Sequence, residues 1–387
     1  MKKIINKIIV FLAFFILCLT YVQADEINVG NTTIEEFSES FGLNSYIAEI
    51  ENCVEEYKIS DYSINDIKEK LLSGESIDYK NIFTLIVTSL FREVFSALKG
   101  AALIICIILI MSIISGMSLE KKSEITDITY LVCFICIATI MTVTFKDTVS
   151  IFKNTTDILT KIMQIVSPFL IAILIGTGAI TTTGFIQPLL LFISSFIGFI
   201  ITYVVLPFIS VSVALNIISA ISDNFRFSAM SKMFNKCSIW IIGIVLTVFL
   251  GILSLETSLS SSVDSLTIDV TQAAMSNFIP VVGKFFSDSL ETVVGATKII
   301  GKTGGVVGIL AIIMVSSVPL IKLVAIMIVY MIISAIVQAI NQNEKISKFI
   351  DSYVSVYKTL IGILIGVDIL FIISTGIILN LCSKIVT

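Results

Sequence analysis

From Phe278 to Leu310 the chain reads F-I-P-V-V-G-K-F-F-S-D-S-L-E-T-V-V-G-A-T-K-I-I-G-K-T-G-G-V-V-G-I-L. Lys284, Asp288, Glu291, Lys298 and Lys302 make it too polar for a lipid-facing span, while its Gly and Val content is too high for a solvated linker. Lipid cannot hydrogen-bond a backbone, so polar or irregular chain at membrane depth persists only against protein or a water-filled cavity. Asp288 and Glu291 stand at i, i+3, and Lys284 precedes Asp288 by four residues, so these charges can pair along one helix face. The stretch reads as the lining of whatever the protein encloses, with Lys284, Asp288 and Glu291 as candidate pathway or packing residues.

Composition supplies the setting. Hydrophobic residues make up 56% of the chain and charged ones 14%, with a mean hydropathy of +1.03, which predicts an all-α polytopic membrane protein. A net charge of −4 leaves no basic face for nucleic acid. The absence of histidine removes imidazole bases, histidine-activated nucleophiles and His-based metal sites. No enzyme activity, cofactor or metal is therefore expected. Of seven cysteines, Cys18, Cys106, Cys133, Cys136, Cys237 and Cys382 lie in or beside apolar text and Cys53 stands alone, so no disulfide framework follows. The C-x-x-C of Cys133 and Cys136 lacks the polar setting of a redox pair and reads as packing.

In chain order, Lys2, Lys3 and Lys7 precede the apolar run Ile8 to Leu19, and Val22-Gln23-Ala24 closes it. Residues 1–24 thus read as a secretory signal peptide, or else as an uncleaved anchor. Residues 25–95 form a small helical extracytoplasmic domain. Between Asp25 and Lys80 it carries fourteen acidic residues against four lysines, and Phe41, Leu43, Ile47, Ile50, Val54 and Tyr57 recur at helical steps. Its acidic face is either a docking surface or a solvated face. Residues 96–160 read as a two-helix membrane hairpin, with spans at Leu98–Met117 and Ile128–Phe145 and an outer loop near Lys153. Lys121 and Lys122 place the turn between the spans in the cytoplasm.

Beyond residue 160 the text repeats with a period of about 115 residues. Pro168 and Pro207 recur as Pro280 and Pro319; Ile218-Ser-Ala-Ile221 recurs as Ile333-Ser-Ala-Ile336. Repeat 1 covers 161–256, an extracytoplasmic amphipathic segment covers 257–279, and repeat 2 covers 280–387. The segments after Pro207 and Pro319 are short for the roughly 30 Å of hydrocarbon and could be re-entrant, which gives six to ten transmembrane helices. Arg226, Lys232 and Lys236 in one linker and Lys345, Lys348 and Lys358 in the other put both on the cytoplasmic side, so the repeats would be parallel.

Three further features bear on function. Ala296 to Thr303 lacks the first glycine of a phosphate-binding loop and has no strand before it. Gly283, Gly295, Gly301, Gly304, Gly305 and Gly308 instead read as helix-packing glycines. Lys322 and Asp368 lie inside apolar spans, where ionisable groups are usually paired or face a pathway. A contact between the two is expected, the alternatives being a snorkelling Lys322 and an Asp368 that faces Asn216 or Gln187.

Pro280-Val-Val-Gly-Lys284, then Ser287-Asp288 and Val293-Val-Gly-Ala296, resemble the signature region of the stage III sporulation protein AE family, whose members share the layout of signal, outer domain and polytopic body. The resemblance implies a membrane component, made in the mother cell and placed in the outer forespore membrane, of a channel complex joining mother cell and forespore. It implies as partners the other stage III A-operon products and stage II sporulation protein Q. It also implies a need for the protein in late forespore gene expression and spore maturation, with the ATPase on a separate subunit. The repeats and buried charges fit an independent secondary transporter equally, and a structural scaffold of the same complex is a further reading.

Overall fold

A backbone in hydrocarbon must satisfy its own hydrogen bonds, and the long apolar stretches of this chain do so as helices longer than a bilayer is thick. The computed structural model describes residues 39–55, 79–117, 124–176, 180–221, 227–278, 282–340 and 344–384, with side chains described for 39–55, 88–114, 128–176, 183–221, 227–255, 297, 299–340 and 345–381. Helix α1 spans Leu43–Val54, α2 Tyr79–Met117 and α3 Glu124–Gly176. Helix α4 spans Ile180–Ile200 and passes through a π-helical turn, Ile201–Val205, into α5 at Leu206–Ile221. Helices α6, α7 and α8 span Ser228–Phe278, Val282–Ile340 and Glu344–Lys384.

Among the described residues, six stretches are long and apolar enough to cross a membrane: Thr88–Ile114, Ile128–Gly176, Thr183–Ile221, Ser228–Leu255, Ile299–Ile340 and Lys345–Leu381. The fold is that of an all-α polytopic membrane protein, the six stretches among the described residues matching the lower end of the expected number of crossings, and among these residues every regular element is helical.

Several expected breaks are absent. The boundary at 160/161 and the outer loop near Lys153 fall inside the unbroken α3, which carries Pro168 within it. The boundary at 256/257 likewise falls inside α6. The segment after Pro319 continues α7 without re-entry. Pro207 is accommodated by the π turn, in which the Leu206 N–H bonds the Ile201 carbonyl five residues back. A proline or a charged turn costs less here than exposing several backbone groups to lipid. The signal peptide of residues 1–24 and most of the acidic domain lie outside the described residues.

The centre of the molecule is α3, α7 and α8. Phe134, Thr142, Thr148 and Met163 of α3 meet Phe349, Tyr353, Tyr357 and Thr375 of α8 in that order, so these helices run parallel. Helix α7 runs the other way between them: Gly308, Gly304 and Gly301 face Val166, Phe169 and Ile173 of α3. Helix α1 begins at Gly42, whose φ of 66° suits glycine. It buries Leu43, Tyr46, Ile47, Ile50 and Val54 against the end of this core where Gly304 lies.

Candidate functional site

Polar groups follow one another through the apolar three-helix core. At the turn end of the α7–α8 hairpin, Ser334 donates to Asp351 Oδ1 at 2.6 Å and Gln338 donates to Ser347 at 2.8 Å. Next come three buried tyrosines, with Tyr330 edge-on to both Tyr353 and Tyr357. Thr142 and Thr148 spend their protons on the Ala138 and Thr144 carbonyls. The hydroxyls of Tyr353 and Tyr357, each 3.1 Å from one of these threonines, are therefore the donors across the helix interface.

Asp368 follows, with no exposed surface. Ser316 faces it from α7, but the Ser316 hydroxyl donates to the Ile313 carbonyl at 3.3 Å, and neither carboxyl oxygen of Asp368 has a hydrogen-bond partner among the described residues. Two residues away, a Cβ on Gly366 would lie 3.0 Å from Leu246 of α6. Helix α6 turns Ile239, Trp240, Ile244 and Val248 outward around that height. Asp368 is thus at the level of an exposed apolar belt, where a buried carboxyl without a partner is among the costliest groups a fold can hold.

The expected contact between Lys322 and Asp368 is not made. Lys322 is exposed and lines a small hollow with Thr148, Ile151, Phe152, Pro319, Leu323 and Ile326. A lysine can carry its charge outward on a long apolar stem, whereas an aspartate two bonds from the backbone cannot leave its place on the helix. Asn216 and Gln187 do not hydrogen-bond Asp368 either.

The glycines of α7 sit where other elements come closest. A Cβ on Gly304 would strike Phe169, one on Gly305 would strike Leu379, and one on Gly301 would lie 2.6 Å from Ile173. Gly308 faces Val166 and the Tyr46 hydroxyl. Tyr46 stacks on Phe169 with centroids 4.0 Å apart and donates to the Gly304 carbonyl at 2.8 Å. Its burial pushes the phenol well above its ordinary range. Lys302 and Thr303 lie on a continuous helical turn, with Thr303 donating to the Ile299 carbonyl, so Ala296 to Thr303 forms no phosphate loop. Gly283, Lys284, Asp288, Glu291 and Gly295 belong to the first turns of α7, but their side chains lie outside those described.

Sequence reading missed the tyrosine and threonine ladder. Its signal was available: Tyr353 and Tyr357 stand at i, i+4 in α8, and Thr142 and Thr148 of α3 lie in text read as a span and its outer loop. Among the described residues, no three of Cys, Asp and Glu gather as a metal site.

The profile of the family described as Stage III sporulation protein AE matches residues 62–382. The protein named Stage III sporulation protein AE of Bacillus subtilis (strain 168) is 27% identical over 172 residues, an alignment that covers 44% of this chain and 43% of that protein. No solved structure matches.

Proposed function

The chain belongs to the stage III sporulation protein AE family, and from that premise we propose that it is the permease-like membrane component of a channel complex joining mother cell and forespore. It is a sporulation membrane protein; the conduit, the partners and the place in the outer forespore membrane are the finer reading. In that reading it acts with the other stage III A-operon products and stage II sporulation protein Q, performs no chemistry of its own, and takes its energy from a separate ATPase subunit. Late forespore gene expression and spore maturation would depend on it.

One observation carries the conduit part of this reading: a fully buried Asp368 with no hydrogen-bond partner among the described residues, standing in a line of polar side chains through the core. A scaffold has no use for such a group, since an apolar residue would hold the same helices together at lower cost. A carrier does, because ionisable groups at bilayer depth mark the paths of ions and polar solutes.

The test is replacement of the chromosomal copy by Asp368→Asn or Asp368→Leu in sporulating cells. The expected result is normal accumulation in the membrane with heat-resistant spores reduced at least tenfold. Full sporulation by Asp368→Leu would overturn the conduit and leave the scaffold. Cells lacking the chain should complete engulfment and stall before maturation, and a normal spore yield would remove the sporulation role itself. Reconstituted alone, the protein should move no solute; movement without partners would favour an independent secondary transporter.

A further inference from the structure

One face of α3 changes character twice along an unbroken helix. At its start the face presents Ile128, Val132, Ile135 and Val143 outward. From Lys146 onward it presents Asp147, Ser150, Lys153, Asn154, Asp157 and Lys161, all exposed, and it ends on Pro168 and Ile175. At 100° per residue these positions stay within one third of the helix circumference, so this is a single stripe and not a turn toward another neighbour. The opposite face buries Phe152, Thr155, Thr156, Leu159 and Ile162 in the core.

The charged part of the stripe is about 23 Å long at 1.5 Å per residue, comparable with most of the hydrocarbon thickness. Its height is given by its neighbours. A Cβ on Gly198 of α4 would lie 3.1 Å from Thr160, and Gln164 donates to Ser195 at 3.2 Å. At that height α4 turns Phe192, Phe196 and Phe199 outward. Two adjacent helices thus present opposite surfaces at one level: α4 suits lipid, and α3 does not.

We propose that the charged face of α3 from Lys146 to Lys161 is a contact surface for a second copy of this chain, meeting it across a hydrated seam. Copies in one membrane share their orientation and are related by rotation about its normal, so equal residues lie at equal heights. The stripe is self-complementary under that operation. Lys146 would face Asp147 of the other copy one residue away in height, and Lys153 and Lys161 would each face its Asp157 within about 6 Å along the axis, four residues at 1.5 Å each. A different partner would need a matching ladder of its own; another copy already has one. The seam requires only that α3 crosses the bilayer, so it does not rest on the role in sporulation.

The test uses the full chain in native membranes. A photo-crosslinking residue at Asn154 should give a product of twice the chain's mass in which two differently tagged copies are joined, while the same probe at Phe192 should give none. Crosslinks from Asn154 to lipid alone, or to an unrelated protein, would overturn the proposal. In the second arm Asp157→Lys, which makes positions 153, 157 and 161 all lysine and leaves four lysines on the stripe, should reduce the joined product at least tenfold. Adding Lys153→Glu and Lys161→Glu restores alternation with reversed sign and should restore the product. If the triple variant accumulates normally yet stays unjoined, the charges do not specify the contact and the proposal fails. If instead it does not accumulate, the probe at Asn154 in the unaltered stripe decides alone.

Discussion

In the α5–α6 hairpin the apolar stretch of α6 is 22% buried, whereas the two stretches of the α7–α8 hairpin are 56% and 61% buried. Their hydropathies are nearly equal, 2.5 for α6 against 2.7 and 2.5. Each hairpin is pinned by a buried serine pair, Ser212 with Ser231 at 2.8 Å and Ser334 with Ser347 at 3.3 Å. What separates them is small residues at the points of approach. Gly243 and Gly251 of α6 have nothing within 4 Å of a would-be Cβ, whereas Gly301, Gly304, Gly305 and Gly308 of α7 are all closed in. Lipid is as apolar as leucine, so hydrophobicity does not draw one helix to another in a membrane. Close packing does, and glycine permits it.

The largest effects should come from filling that approach. Gly304→Leu or Gly305→Leu should each cost about 3 kcal/mol or more in detergent unfolding, the upper range for overpacking a tight interface. Gly243→Leu and Gly251→Leu should stay within about 0.5 kcal/mol. Equal losses in both helices would erase the distinction between the hairpins.

Asp368→Leu should act in the opposite direction on stability, raising it by about 1–3 kcal/mol through removal of an orphaned buried group. A loss of stability would mean that Asp368 has a partner and that the α7–α8 hairpin is held by polar contacts after all. Smaller still, Ser334→Ala and Ser212→Ala should each cost about 1 kcal/mol, the net worth of one hydrogen bond. Similar values in the two hairpins would confirm that hydrogen bonding does not distinguish them.

The smallest effect concerns α1, which docks where α7 meets α3, with Tyr46 on Gly304 and Phe169. Burial raises the Cys53 thiol, Lys161 lowers it and Glu49 raises it. A raised thiol holds less thiolate at a given pH, so alkylation of Cys53 should begin at higher pH than that of a free cysteine. Glu49→Gln should move the profile down and Lys161→Gln should move it up. Gly308→Leu, by dislodging Tyr46, should return it toward the ordinary value. An ordinary profile in the unaltered protein would mean that α1 is not docked.

Much of this architecture was legible in the residues. Helical steps from Phe41 to Val54 mark a helix, and α1 occupies Leu43–Val54. Apolar text marks the membrane body, and Asp368 stood out by its charge alone. Lys153 and its neighbours were misread as a loop because polar text in a membrane protein usually is one; a single charged face on a continuous helix has the same composition. Lys322 was misassigned because two opposite charges at similar depth suggest a pair, although the direction in which each leaves its helix is invisible in one dimension.

By itself the sequence determined that this chain is helical, crosses a membrane repeatedly and contains no histidine, because these follow from hydropathy, period and residue inventory. Only the tertiary structure decided which hairpin is central, which glycines are pressed by neighbours, and that Asp368 stands without a partner among the described residues. Those properties depend on which surfaces approach within a few ångströms, and two stretches of equal hydropathy carry no record of their neighbours.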